Sequence, residues 1–208
     1  MKIVVITDEA LKKELLAQDI AAVAEIEWLD ALPQRCNADC YIDLLFYPAT
    51  ERVAALQQLQ PALIIVNSVI TSSKDLPVNF VRINGWPTFL KRNITEASCS
   101  NNSLKEKAEE ALVAFNKKIE WAADIPGFIT ARVIGMIINE AYFTLDEKVS
   151  TKDEIDTAMK LGTNYPYGPF EWAQLTGLKN VYDLLHRLAE TNSRYTPSAL
   201  LQKEALSL

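Results

Sequence analysis

The chain has 208 residues, of which 49% are hydrophobic and 23% charged, and its formal net charge is -6. This length suffices to bury the core of one large or two small domains, and the composition excludes a disordered or collagenous protein. Because the net charge is negative and no long basic stretch occurs, neither nucleic acid nor an anionic membrane is an expected partner.

The cysteine and histidine content excludes several kinds of site. Three cysteines, Cys36, Cys40 and Cys99, are too few for a disulfide framework and indicate a reducing compartment. Cys36 and Cys40 are spaced like half of a zinc site, but no second pair completes it, so ordinary thiols and no metal are expected. His186 is the single histidine, and its place in a leucine-rich helical segment predicts a surface residue.

Asp8 and Glu9 interrupt the first apolar segment before it reaches the length of a signal-peptide apolar region, so no signal peptide is expected there. The most apolar run, residues 62–66, is far shorter than the roughly 20 residues that span a bilayer. We therefore expect a cytoplasmic protein.

The first half of the chain predicts strands that alternate with helices. Short β-branched or apolar runs predict strands at residues 2–6, 24–28, 40–46, 62–66, 78–83 and 119–122. Apolar residues at helical spacing predict helices that include Leu11 and Leu15, residues 52–59 and residues 104–115. This alternation predicts an open α/β sheet of parallel strands with right-handed crossovers over residues 1–122.

The second half, residues 123–208, predicts helices alone. After Pro126-Gly127, residues 128–145 are apolar over about five turns, too long for a strand. Overlapping capping boxes at residues 150–154 begin a further helix, and Gly162 is expected to end it. Gly168-Pro169 begins another helix, and the segment around residues 181–188 has apolar residues at spacings of three and four.

Ordered motifs in the second half carry a family resemblance. They read DIPGFI at 124–129, NEA at 139–141, EIDTAMKLG at 154–162, YPYGPFEW at 165–172 and RYTPSALL at 194–201. This series resembles the C-terminal helical domain of 3-hydroxyacyl-CoA dehydrogenases, especially the 3-hydroxybutyryl-CoA type. The resemblance implies that residues 123–208 form a homodimer and one wall of an acyl-CoA cleft, behind a Rossmann domain that binds NAD.

The first half resembles that Rossmann domain in layout only. The turn after the first predicted strand, Thr7 to Lys12, lacks glycine, although a diphosphate needs close backbone approach there. Asp8 and Glu9 add two carboxylates where the diphosphate would lie. Residues 31–39 are too short for the helix and strand expected at this point, which predicts a truncated sheet. From these departures, no cofactor is expected.

The family's catalytic positions also differ here. In the family motif His-Phe-Phe-Asn-Pro the histidine is the general base, and alignment on Pro87 puts Ile83 at that position. The family's active-site asparagine is matched by Ala131, and the glutamate that orients the histidine falls near Thr95 or Glu96. We therefore assign no catalytic, cofactor-binding or metal residue. The candidates for a substrate cleft are Asn67, Ser68, Asn84 and Glu96.

Three functional hypotheses remain. The first is a homologue that has lost NAD-dependent oxidation of 3-hydroxyacyl-CoA but keeps a cleft for an acyl-CoA-like ligand or a docking partner. The second is an active NAD-dependent 3-hydroxyacyl-CoA dehydrogenase of fatty-acid metabolism. The third is a non-catalytic protein that dimerises through its helical domain or pairs with an active relative.

Overall fold

The computed structural model describes residues 1–21, 24–34 and 37–207. The chain divides into two compact units, Met1–Phe128 and Ile129–Leu208, where the sequence predicted a division after residue 122. Cys36, half of the pair considered as a metal half-site, lies outside the described residues, whereas Cys40 is a buried free thiol.

The described part of the first unit contains one seven-stranded sheet in the order β2-β1-β3-β4-β5-β6-β7. Neighbouring strands are parallel except for β5 and β6, which are antiparallel. The strands are β1 Lys2–Ile6, β2 Glu25–Leu29, β3 Cys40–Asp43, β4 Leu63–Asn67, β5 Phe80–Ile83, β6 Ile94–Cys99 and β7 Lys118–Trp121, and the helices are α1 Glu9–Leu15, α2 Thr50–Gln57 and α3 Lys105–Val113. The α/β prediction is confirmed.

Apolar layers on both faces bury the central strands. In β1, Ile3 and Val5 join one cluster while Val4 and Ile6 join another, because side chains of a strand alternate between faces. A strand covered on both sides needs an almost continuous apolar sequence, as the LIIV run of β4 also shows. The same requirement explains why these strands could be predicted from sequence.

One strand, β6, was not predicted. Its sequence ITEASC mixes polar with small residues, yet Thr95, Glu96 and Ser98 are all buried. Burial of polar side chains in a central strand requires partners from neighbouring elements. An apolar pattern could therefore not reveal this strand.

β2 is an edge strand, and within the described residues the sheet has no further strand beyond it. β1 lies between β2 and β3, and the described residues that connect β2 to β3, 30–34 and 37–39, form neither helix nor strand. The link is therefore as short as the sequence predicted. A truncated Rossmann-like sheet results.

The second unit is helical, as predicted. Its helices are α4 Thr130–Asp146, α5 Lys152–Thr163, α6 Pro169–Thr176, α7 Leu178–Ala189 and α8 Ala199–Ala205. Thr151 and Glu154 form the capping box of α5. The expected stop at Gly162 is wrong, because α5 continues and Asn164 adopts the left-handed conformation with φ 56°, which asparagine tolerates better than most residues. In the described chain no helix combines the length and apolar character needed to cross a membrane.

A buried carboxylate from α5 caps α6. Asp156 is 7% exposed, and its side chain accepts hydrogen bonds from the backbone N–H groups of Phe170 at 2.8 Å and Glu171 at 3.1 Å. Gly168 is the N-cap residue of α6 and supplies no side-chain oxygen. A Cβ on Gly168 would lie 2.3 Å from the Asp156 side chain, so the close approach of the two requires glycine.

A second buried charge, Arg82 of β5, holds the end of the first unit. Its guanidinium donates to the carbonyl oxygens of Thr71 at 2.6 Å and Ile125 at 2.7 Å. It also lies 4.0 Å from the ring centroid of Phe128, and its Nε is 3.6 Å from Asp124 Oδ1. Burial lowers the pKa of Arg82 to about 10, against the opposing effect of Asp124, so the guanidinium is charged at neutral pH. Arg82 therefore binds residues 124–128 to the sheet.

Asp124 is held in turn by several donors. The backbone N–H groups of Ser73 and Lys74 lie 2.8 and 3.3 Å from its oxygens, and Ser98 Oγ lies at 3.3 Å. Burial opposes ionisation of Asp124, but the hydrogen bonds from Ser73 and Lys74 and the charge of Arg82 outweigh it, so its pKa lies below the ordinary value.

We expect Asp156→Ala to lower the free energy of unfolding by about 1–2 kcal/mol, because two N–H groups at the start of α6 lose their acceptor. Urea denaturation measures the difference. Asp153→Ala removes an exposed carboxylate from the same helix and should change stability by less than about 0.5 kcal/mol. Equal effects of the two substitutions would show that the cap contributes nothing specific.

Asp124→Asn should lower the free energy of unfolding by about 1–3 kcal/mol at pH 7, because Arg82 loses its counter-charge. The folded-state pKa of Asp124 is depressed, so its stabilisation is present above the unfolded value of about 3.9 and is lost as pH falls through the folded value. The stability gap between wild type and variant should be constant from about pH 5 to pH 8 and shrink below about pH 4. A gap that stays constant on acidification contradicts the charge-based explanation, and Asp30→Asn at an exposed site serves as control.

Candidate functional site

The four candidate residues lie at neighbouring positions of the first unit. Asn67 ends β4, Ser68 follows it, Asn84 follows β5, and Glu96 lies in β6. β4 and β5 are parallel, so their carboxyl ends meet at one edge of the sheet, where ligands of open α/β proteins bind. The antiparallel strand β6 brings Glu96 to the same edge, beside Asn84. The structure therefore brings together the residues that the sequence analysis selected.

Asn84 and Glu96 form a cross-strand pair. The Asn84 N–H donates to the Glu96 carbonyl oxygen at 2.9 Å, and Asn84 Nδ2 donates to Glu96 Oε2, also at 2.9 Å. Their exposures are 1% and 4%. The buried carboxylate thus receives a hydrogen bond from a neutral amide, a group that donates protons to hydrogen bonds but has no basicity at neutral pH.

Asn67 fixes the turn that follows β5. Its Oδ1 accepts the Gly85 N–H at 3.0 Å, and its Nδ2 donates to the Leu44 carbonyl oxygen at 3.2 Å. A Cβ on Gly85 would lie 2.8 Å from Asn67 Cγ, so this approach depends on glycine. Ser68 Oγ donates to the carbonyl oxygen of Thr71 at 3.0 Å.

Ile83 and Ala131, the positions aligned with the family's base and asparagine, are both buried. Ile83 pairs with Ala97 in the sheet, one residue away from the Asn84–Glu96 pair. Ala131 lies in the first turn of α4 in the second unit. His186 is exposed on α7, as predicted, and stacks on Tyr182 with ring centroids 5.6 Å apart.

Two charged residues that no sequence pattern marked contact the segment between Asn84 and Glu96. They are Glu14 of α1 and Lys117, which precedes β7. Both act on backbone groups far away in sequence, so no local motif could have marked them. A cavity of about 500 Å³ also opens beside Glu96, between Gln18 and Glu120.

The turn between β1 and α1 is the place to test for a dinucleotide. Asp8 is the N-cap of α1, and its Oδ1 accepts the Leu11 N–H at 2.8 Å. A carboxylate therefore occupies the helix N-terminus that a diphosphate would need. The residues of this turn do not fit a diphosphate bound in the manner of a glycine-rich turn. Within the described ranges, no group of three or more His, Cys, Asp or Glu side chains could hold a metal ion.

Comparison with known proteins identifies the relatives of this chain. The family model for the 3-hydroxyacyl-CoA dehydrogenase C-terminal domain matches residues 127–206. A 3-hydroxybutyryl-CoA dehydrogenase of Bradyrhizobium diazoefficiens is 30% identical over 219 residues, covering 96% of this chain and 71% of that protein. A 3-hydroxyadipyl-CoA dehydrogenase of Escherichia coli is 39% identical over 115 residues, covering 54% of this chain but only 24% of that protein.

A solved structure shares the fold along nearly the whole chain. The (S)-3-hydroxybutyryl-CoA dehydrogenase of Ralstonia eutropha superposes with a TM-score of 0.74 at 18% identity, covering 99% of this chain and 93% of that one. At this identity the likeness concerns the fold. It agrees with the predicted order of a Rossmann-like sheet followed by a helical domain.

The prediction that no cofactor is expected is wrong. The Bradyrhizobium relative that aligns with 96% of the chain is named a 3-hydroxybutyryl-CoA dehydrogenase, and membership of this dehydrogenase family points to NAD as the cofactor. The prediction rested on the turn at Thr7 to Lys12, which is one of several parts of a dinucleotide site. Its poor fit concerns one mode of diphosphate binding and does not exclude the cofactor.

The match to the Bradyrhizobium enzyme extends over both units, and the helical unit carries the domain that characterises these dehydrogenases. The chain belongs to the 3-hydroxyacyl-CoA dehydrogenase family.

Proposed function

We propose that this protein binds an acyl-CoA of the 3-hydroxyacyl or 3-oxoacyl class and oxidises the 3-hydroxy form far more slowly than its relatives. The proposal rests on the hydrogen bond between Asn84 and the buried carboxylate of Glu96, in which Nδ2 lies 2.9 Å from Oε2. In the family a glutamate orients the histidine base, so the residue that faces Glu96 identifies the base position.

By this criterion Asn84, and not Ile83, occupies the base position. Ile83 pairs with Ala97, whereas Asn84 contacts Glu96 through both its backbone and its side chain. This assignment implies a loop after β5 that is one residue shorter than the family motif, so alignment on Pro87 displaces the position by one residue. Neither residue accepts a proton at neutral pH, and loss of a general base typically costs about 10²–10⁴ in rate.

The same residues support binding of the ligand. Asn84 Nδ2 carries two N–H groups, and the hydrogen bond to Glu96 fixes the orientation of the amide. The cavity of about 500 Å³ that Glu96 lines offers space for an acyl group, whereas the amide of Asn84 cannot take the proton of a ligand hydroxyl at neutral pH. The relatives' names assign them 3-hydroxybutyryl-CoA and 3-hydroxyadipyl-CoA, which are thioesters of this class.

An active dehydrogenase is the second candidate function. It is favoured by 30% identity with the Bradyrhizobium 3-hydroxybutyryl-CoA dehydrogenase across 96% of this chain. The two candidates agree on the ligand class and differ in the rate of oxidation, which a direct assay separates.

We expect wild-type protein to bind acetoacetyl-CoA in calorimetric titration and to form NADH from 3-hydroxybutyryl-CoA about 10²–10⁴ more slowly than an active relative. Asn84→His places an imidazole beside Glu96 and should raise the rate about tenfold or more. The assay is run over a range of NAD concentrations, so that weak dinucleotide affinity appears in KM.

Asn84→Gln is the matched control, because it keeps an amide and should leave the rate at the wild-type value. Glu96→Gln added to Asn84→His should abolish the gain, since the imidazole then loses the carboxylate that orients it. Wild-type turnover equal to that of the active relative would support the second candidate and refute the slow-oxidation proposal.

A further inference from the structure

We propose that Glu14 and Lys117 are positioning residues of the acyl site, acting through a clamp on the segment of residues 86–93. This inference rests on the proposed function, because the segment connects Asn84 to the strand that carries Glu96. Neither residue lies near the other candidates in sequence. By holding this segment, Glu14 and Lys117 fix the backbone that connects Asn84 to Glu96.

Lys117 holds the carbonyl side of the segment. The residue is 2% exposed, and its ammonium donates to the carbonyl oxygens of Leu90 and Arg92, the latter at 2.6 Å. Burial lowers the pKa of Lys117 to about 8, so most of the ammonium is charged at pH 7. A buried ammonium is costly unless its hydrogen bonds are satisfied, and here backbone carbonyls satisfy them.

Glu14 holds the amide side of the same segment. Its Oε2 accepts the backbone N–H of Thr88 at 2.8 Å and of Lys91 at 3.1 Å. Gln18, one turn further along, donates from Nε2 to the Lys91 carbonyl oxygen at 3.0 Å. The carboxylate of Glu14 thus binds backbone N–H groups of this short segment, and the ammonium of Lys117 binds its carbonyl oxygens.

Backbone strain at Thr88 indicates that the segment needs this support. Thr88 has φ 72°, a left-handed conformation that is a genuine outlier for a β-branched residue. Strained conformations persist only where surrounding contacts enforce them, and they concentrate at functional sites. Glu14 binds the N–H of this strained residue, so the clamp and the strain coincide.

The clamp therefore determines where the Asn84 amide and the Glu96 carboxylate lie relative to a ligand. The segment leaves β5 just after Asn84 and enters β6 just before Glu96. If either charged contact is lost, the segment can relax toward an unstrained conformation. The two polar groups then lose their common geometry, while the sheet core, to which the segment contributes Leu90, is otherwise formed by residues outside the segment.

The test compares Lys117→Met with Lys117→Arg, in amide hydrogen exchange of residues 88–92 and in calorimetric affinity for acetoacetyl-CoA. Hydrogen bonds to a charged group are worth enough to change an equilibrium about tenfold or more. We expect Lys117→Met to speed amide exchange and to weaken affinity for acetoacetyl-CoA, each by at least about tenfold. Lys117→Arg should bring both quantities to within about threefold of the wild-type values, because arginine can donate to two carbonyls. Lys118→Met, at the exposed neighbouring position, is the control and should change neither.

If Lys117→Met does not fold, Glu14→Ala tests the other half of the clamp. Glu14→Gln keeps an acceptor oxygen, so its exchange rates and affinity should be close to the wild-type values. Unchanged exchange in Lys117→Met and Glu14→Ala overturns the clamp. Faster exchange with unchanged affinity overturns the positioning role alone. Wild-type protein without affinity for acetoacetyl-CoA overturns the proposed function and the positioning role with it, even if exchange still responds.

Discussion

The buried pairing of a neutral amide with a carboxylate, Asn84 with Glu96, is the constraint on which the site depends. A carboxylate that is 4% exposed requires hydrogen-bond donors, and the Asn84 side chain supplies one at 2.9 Å. An imidazole in that place could also accept a proton from a substrate hydroxyl, whereas an amide cannot. Under the proposed function, the pair keeps a buried contact to Glu96 but supplies no proton acceptor.

Other buried charges hold the frame around this pair. Arg82 and Asp124 bind residues 124–128 to the sheet, and Glu14 and Lys117 hold the loop between β5 and β6. Each of these charges contacts backbone groups that a side-chain pattern cannot reveal.

Strong local patterns predicted most of the fold. Continuous apolar runs marked β1 and β4, and the Thr151 box and Gly168-Pro169 marked the starts of α5 and α6. β6 was missed because its buried residues Thr95, Glu96 and Ser98 are polar. The partners of Glu96 and Ser98, Asn84 and Asp124, lie outside the strands. We propose Asn84 rather than Ile83 as the base position because its partner, Glu96, is a neighbour across the sheet, and alignment on Pro87 does not record that contact. The cofactor prediction failed because it generalised from one turn, while similarity over the whole chain points to NAD.

Nuclear magnetic resonance of the side-chain amide of Asn84 tests the central claim most directly. Titration of 15N-labelled protein with acetoacetyl-CoA should shift the Nδ2 resonances of Asn84, which comparison with Asn84→Gln assigns. At the same concentrations, the side-chain amide resonances of Asn180 and Asn192 in the helical unit should stay unchanged. This response is expected because the side chain of Asn84 contacts Glu96, which lines the proposed ligand cavity. Saturation of the protein with ligand without any shift at Asn84 would contradict it.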